Sequence, residues 1–319
     1  MKKHVIFSAI AMLVAGAGCD YVEKPIPPTA QGPSEECDTT FAFTQVQTTR
    51  NVLVEEFTGH YCANCPQAAH YLEQLHDTYS DQLVLVAIHP DIGTLTDPQA
   101  GNSDGSYATN WLTEEGDRLF DDFGMPGFVP VGMVNRTDDG GGNLYHYHTT
   151  WSTYVPTLMG QAPDISIRNT GDYLSTEDVV CGKIEVEFLN AVTGDLYLTT
   201  YLVEDSIVDW QKIAAGAEAS GSVHPDYPAG DISSYMHRHV LRDIHGHVGI
   251  REGDASGTGS ILGSLLRNGN FLAGEKFQYV ISFNNLDPAW NTDHLYLVTF
   301  VHDNTTHEIL QVSQVHVHP

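Results

Sequence analysis

The chain has 319 residues, with 14 Lys or Arg against 41 Asp or Glu and a formal net charge of -27. Nucleic-acid binding draws on cations that neutralise phosphates, so this balance excludes that class. It equally excludes adhesion to anionic lipid through a basic patch.

The N-terminus has the pattern of an export signal. Lys2 and Lys3 precede an apolar core, Val5 to Ala17, that is too short for a comfortable membrane span. The signal closes at Gly16-Ala17-Gly18-Cys19, small residues before a cysteine, as in bacterial lipoproteins whose cysteine is lipidated. Gly16 stands where such signals usually carry Leu, and ordinary cleavage leaving Cys19 free is the alternative. Residues 1–19 are therefore expected to be the signal. Residues 20–40, rich in Pro and polar side chains, are expected to be a tether.

An apolar strand-like run, Asn51 to Phe57, leads through Thr58-Gly59-His60-Tyr61 to Cys62-Ala63-Asn64-Cys65 and a helix-like run from Pro66 to Tyr79. A cysteine pair so placed lies at a helix N-terminus, where unpaired N–H groups and the helix dipole favour a thiolate. Zinc sites built on CxxC normally add a second ligand pair, and no other CxxC occurs. Gln82 to His89 is a β-branched run suited to a buried parallel strand. Strand, helix, strand forms a βαβ unit, and with the CxxC it points to a thioredoxin-like domain. Cys62, expected to lie nearer solvent, is the candidate nucleophile and Cys65 the resolving thiol. Glu56, six residues before Cys62, matches the buried acid that handles the resolving thiol's proton in thioredoxins. With Glu55 adjacent, a plain strand-end carboxylate is the other reading.

Asp91 to Asn110 is expected to be a solvated excursion, and Trp111 to Phe123 resumes helical periodicity. The segment Phe123 to Val134 resembles the thioredoxin stretch in which a cis-proline faces the cysteines, with Val129-Pro130 as the matching pair. Asp138 to Asn143 is a hairpin turn cluster, and Tyr147 to Met159 is expected to close the domain as a helix. From Pro163 the pattern changes to alternating strands: Asp164 to Arg168, Lys183 to Leu189, Leu196 to Glu204, Lys276 to Asn284, Leu295 to His302 and Ile309 to His316. Val208 to Gly249 breaks this rhythm as a long connection, and Gly253 to Gly263 is a Gly/Ser loop.

With EEFTGHYCANCPQA, LVAIHP, GMVNR, YLVEDSIV, HRHVLRD and LYLVTFVHDNTTHEILQV in order along the chain, the sequence resembles the outer membrane protein 28-related family of bacterial envelope lipoproteins. The resemblance implies an α/β thioredoxin-like domain, here residues 41–162, followed by an all-β immunoglobulin-like sandwich, residues 163–319. It also implies an envelope address. Asp20 after Cys19 resembles an inner-membrane retention signal of some proteobacteria, against the outer membrane that the family name implies.

If Cys19 is lipidated, Cys37, Cys62, Cys65 and Cys181 remain. An even number in an exported protein allows a structural Cys37–Cys181 disulfide, with two free or buried thiols as the alternative. The 17 His include four HxH pairs, of which His237/His239 with His245/His247 is the best metal candidate because four imidazoles fall in one short segment. Surface or packing roles are the competing description, and no cofactor is expected.

Three functions follow. The leading one is thiol–disulfide exchange with the thiols and disulfides of exported proteins. The others are a surface binding module that uses the fold as scaffold for a surface ligand, and copper or zinc handling. Contact with the membrane is expected through the lipid anchor alone.

Overall fold

The computed structural model describes residues 37–99, 101–217, 221–245 and 263–318. The expected signal, Cys19, most of the tether, His247 and nearly all of the Gly/Ser loop lie outside the described residues.

The first elements are β1 (Val52–Phe57), α1 (Cys65–Tyr79), β2 (Leu83–Ile88), α2 (Glu114–Asp122), β3 (Val131–Val134), β4 (Tyr145–His146) and α3 (Trp151–Met159). β1 and β2 pair in parallel from Val52↔Leu83 to Phe57↔Ile88. Parallel neighbours need a crossover, which α1 supplies. β3 runs antiparallel to β1, and the Asp138–Asn143 turn cluster carries the chain from β3 back along it as β4. The Thr113 side chain caps α2 by accepting from the Gly116 N–H, and Glu114, Glu115 and Asp117 in its first turn suit the helix dipole.

The strands that follow are β5 (Ile165–Leu174), β6 (Val179–Phe188), β7 (Val192–Glu204), β8 (Ile207–Ile213), β9 (Gly230–His237), β10 (Val240–His245), β11 (Ser264–Phe271), β12 (Lys276–Asn284), β13 (Leu295–Asp303) and β14 (Ile309–His318). The fold is β-rich, with few helices. The six alternating runs of the sequence correspond to β5, β6, β7, β12, β13 and β14.

The main sheet has the order β12-β6-β5-β14-β13-β7-β10-β2-β1-β3-β4, with β11 also on β7. It is continuous across the change of pattern at residue 163. β10 pairs antiparallel with β7 and meets β2 through Val240↔Ala87, reinforced by the Ala87 N–H donating to the His239 carbonyl at 2.8 Å. β8 and β9 form a separate antiparallel ribbon.

Two cores flank this junction. In one, Ile165, Ile184 and Phe188 of β5 and β6 meet Leu198 of β7, Phe271 of β11 and Leu297 of β13. In the other, Leu53, Phe57 and both CxxC cysteines pack with Tyr201 and Val203 of β7, Leu241 of β10 and Phe300 of β13. The cysteine pair thus shares a core with strands drawn from the far end of the chain.

Side chains alternate faces along a strand. Leu53, Glu55 and Phe57 of β1 point toward β7 and β13, while Val52, Val54 and Glu56 point the other way, where Val52 and Val54 meet α1 and α3. Glu55 is fully buried and receives two hydrogen bonds from Arg136, from Nε at 2.8 Å and Nη2 at 2.7 Å. Tyr201 completes the triad, its hydroxyl donating to Glu55 Oε1 at 2.7 Å and accepting from Arg136 Nη2 at 2.8 Å. Burial opposes the Arg136 charge, yet the Glu55 carboxylate and Tyr201 hold its pKa above the ordinary value.

Removing one partner of a buried pair strands the other charge in the core and costs about 3–5 kcal/mol. Arg136→Met is therefore expected to lower the urea-unfolding free energy by about that amount, whereas a change below about 1 kcal/mol would show that the triad is not a keystone.

Candidate functional site

After β1 the chain turns through Thr58–Asn64 and enters α1 at Cys65, with Pro66 in the first helical turn, where a missing N–H costs nothing. Gly59 is required by close approach: a Cβ there would collide with the Leu95 carbonyl oxygen. Cys62 and Cys65 are joined as a disulfide with Cα atoms 5.4 Å apart. The Cys62 Sγ lies 3.7 Å from the carbonyl oxygen of Val129, and the Val129–Pro130 peptide bond is cis.

Both cysteines are buried, Cys62 at 3% exposure and Cys65 at 1%. The reason is the β8–β9 ribbon, which is strapped across the cysteine loop. The Lys212 N–H donates to the His60 carbonyl and the Ala214 N–H to the Ala63 carbonyl, each at 2.9 Å. The buried side chain of Gln211 donates to the carbonyls of Gly59 at 3.3 Å and Cys62 at 3.1 Å. The excursion from Asp91 to Asn110 is not a free solvated loop either. Its Tyr107 is buried, packs edge-on against Tyr61 at 4.8 Å and donates to Asp231 of β9 at 2.7 Å. The Lys212 ammonium sits 4.3 Å over the Tyr61 ring and 3.2 Å from Asp231.

Glu56, on the face of β1 opposite Glu55, lines a cavity of about 540 Å³ between α1 and the β9–β10 link. Cys65 lines the same cavity. Burial, with a smaller contribution from repulsion by Glu73, pushes the Glu56 carboxyl up from an ordinary 4.5 to about 8. Its Oε1 has no hydrogen-bond partner among the described residues. A carboxyl that titrates near neutrality beside a cysteine pair can accept a proton in its ionised form and return it.

The family profile described as outer membrane protein Omp28 matches residues 117–319, well over half of the chain. The chain belongs to the Omp28 family. It is accordingly an envelope protein of the bacterial outer membrane. No helix among the described residues is long and apolar enough to cross a membrane. The match begins after the cysteine pair, so the chemistry of that pair rests on this chain's own residues. The crystal structure of a protein from Agrobacterium tumefaciens is 14% identical, covering 84% of this chain and 95% of its own at a TM-score of 0.43. A domain of the outer membrane lipoprotein Omp28 from Porphyromonas gingivalis is 16% identical, covering 49% of this chain and 90% of its own at a TM-score of 0.28. A comparison with curated proteins found no match.

The HxH pairs of this Omp28-family chain meet separate partners. His237 ends β9, tilted against Trp111 at 4.8 Å and within 3.2 Å of the Trp210 carbonyl. His239 follows with φ of 54°, which breaks the strand alternation and turns its ring toward Asp205, 3.8 Å away. Burial pushes both imidazoles down to about 4. His245 packs against Phe283 on β12. Among the described residues no three His, Cys, Asp or Glu side chains converge as a metal-ligand set. Cys37 and Cys181 form a disulfide on β6.

Sequence reasoning missed Gln211, Tyr107 and His89. No local signal marks Gln211, since 149 residues separate it from Cys62.

Gln211→Ala removes one of two donors from each of the Gly59 and Cys62 carbonyls, which keep the Cys62 and Cys65 N–H groups, a loss of about 0.5–1.5 kcal/mol. It is expected to speed reduction of Cys62–Cys65 by dithiothreitol at least several-fold, read by thiol alkylation and mass spectrometry; an unchanged rate would show that the ribbon does not guard the pair. The sign of the Glu56 linkage follows from its raised pKa. Its stabilising contribution is complete below 4.5 and is lost as pH rises to about 8. The stability of wild type relative to Glu56→Gln should therefore fall across that window, and a pH-independent difference in unfolding free energy would contradict it.

Proposed function

We propose that the protein is an outer-membrane lipoprotein, anchored through Cys19, that exchanges disulfides with exported proteins. In this reading residues 41–162 form a thioredoxin-like domain and residues 163–319 an immunoglobulin-like sandwich that holds it in place. One juxtaposition carries the reading: the Cys62–Cys65 disulfide at the start of α1, with the Val129 carbonyl 3.7 Å from Cys62 Sγ and buried Glu56 on the same cavity wall as Cys65.

In the reduced protein, the Cys62 thiolate attacks a client disulfide, forming a mixed disulfide beside Pro130 and releasing one client thiolate. Glu56 takes the proton of Cys65. The Cys65 thiolate then attacks Cys62 Sγ, re-forming Cys62–Cys65 and releasing the second client thiolate. The same steps in reverse oxidise a client dithiol. Ala63 and Asn64 bring no charge to the thiolate, so the direction depends on the client couple and on a regenerating dithiol or disulfide partner.

A second reading is favoured by the burial of both cysteines under the ribbon. There the disulfide is a staple and the protein is a non-catalytic binding module.

Insulin reduction with dithiothreitol as electron donor separates the two. Wild type should accelerate precipitation, Cys62→Ser should abolish the effect, and Glu56→Gln should remove the rate increase seen as pH passes through about 8. Wild type no faster than dithiothreitol alone, together with a Cys62–Cys65 disulfide that resists reduction, would leave the binding-module reading standing.

A further inference from the structure

The cavity beside Cys65 offers more acceptors than thiol–disulfide exchange uses. At about 540 Å³ it falls within the range of small-molecule sites, roughly 300–1,000 Å³, and is far larger than a single metal ion. Glu56 lines it, 5% exposed, with Oε1 unpartnered. His89 also lines it, 3% exposed, with neither ring nitrogen hydrogen-bonded among the described residues. Stacking on Trp111, ring centroids 5.5 Å apart, holds that imidazole in place. Burial keeps it neutral, so one ring nitrogen retains a lone pair.

Among the described residues no Lys or Arg forms a salt bridge with Glu56 or Glu73. Glu73 lines the cavity as well and repels the Glu56 carboxylate. Its contact is the ring of His70 at 3.2 Å. The two nearby arginines are committed elsewhere, Arg238 to Asp205 at 2.7 Å and Arg242 to Glu204 at 2.7 Å. Leu72, Leu85, Val86 and Val240 supply an apolar wall.

We propose that this cavity binds a primary alkylammonium group, with the Glu73 carboxylate as counter-charge, the Glu56 carboxyl, which ionises against the bound cation, and His89 as hydrogen-bond acceptors, and the apolar wall against the alkyl chain. An ammonium donates three hydrogen bonds and accepts none, which matches a set of acceptors left without donors. A bare metal ion fits less well, because no three ligating side chains converge among the described residues. The same chemistry is presented by a free aliphatic diamine and by a lysyl side chain of a polypeptide. Binding is independent of the redox reading, since it requires neither cysteine to be reduced.

Calorimetric titration of the purified protein, its disulfides intact, tests this with three probes: cadaverine, Nα-acetyl-lysine methylamide and the neutral analogue pentane-1,5-diol. One or both amines should bind while the diol does not. Cadaverine alone would assign the site to free amines, and the lysine amide alone to polypeptide side chains. Glu56→Gln, Glu73→Gln and His89→Phe should each weaken binding about tenfold, as expected when one charged or hydrogen-bonding partner is removed. Glu73 lies on the accessible face of α1, so its variant keeps the test valid even if Glu56→Gln fails to fold. No binding of either amine, equal binding of the diol, unchanged affinity in the variants, or uptake of Zn²⁺ alone would each overturn the proposal. Because all titrations use the oxidised protein, an inactive enzyme that binds amines separates failure of the exchange reading from failure of this one.

Discussion

A single buried guanidinium sets the geometry around the cysteines. Arg136 follows β3 in a turn where Asn135 and Arg136 both take left-handed φ, 46° and 52°. From there it clamps Glu55 on β1 and Tyr201 on β7, residues 81 and 65 positions away. Phe123 and Phe300 cover the guanidinium at 4.6 and 5.0 Å. Burying such a pair carries a desolvation cost that only good geometry offsets, and the bidentate contact with Glu55, completed by Tyr201, supplies it. The consequence reaches beyond stability. Once Glu55 is held toward β7, the alternation of β1 obliges Glu56 to face the cavity beside Cys65. One ion pair therefore decides which of two adjacent carboxylates is available for proton transfer.

The cysteine pair is guarded by a segment that belongs, in sequence, to the other end of the chain. β8 contributes backbone donors on one side of the CxxC loop, and Gln211 holds two of its carbonyls from within. The loop from Asp91 to Asn110 closes a second side through Tyr107. Reactivity at such a disulfide is governed by how often a small, separately paired ribbon opens, rather than by static exposure. The ribbon makes no ladder with the main sheet. It can therefore open without breaking the continuous pairing from β7 through β10 to β2.

Local patterns made much of this legible. The run of apolar residues around CxxC marked β1, α1 and β2, because period and punctuation are properties of neighbouring residues. Six alternating segments marked strands for the same reason. β8 to β10 escaped because the Val208–Gly249 stretch mixes turn residues with short, irregular alternation. Its ribbon earns its place by contacts with residues about 150 positions earlier. The fate of Glu55 and Glu56 was equally hidden: both fit a strand end, and only Arg136 and Tyr201 distinguish them. HxH spacing promised a shared face at His237 and His239, yet a left-handed residue between β9 and β10 sends the two rings to different partners.

The Cys37–Cys181 bond joins the start of the described chain to β6, 144 residues on. Beyond it, Asp38 pairs with Lys183 at 2.8 Å, and the Gln45 carbonyl accepts from Arg168 at 2.8 Å, so the segment runs along β6 and β5 before it reaches β1. Any tension applied ahead of Cys37 is thus delivered to β6 through a covalent link and never reaches β1. The cross-link acts as a strain relief, leaving the cysteine loop mechanically isolated from whatever pulls on the N-terminus.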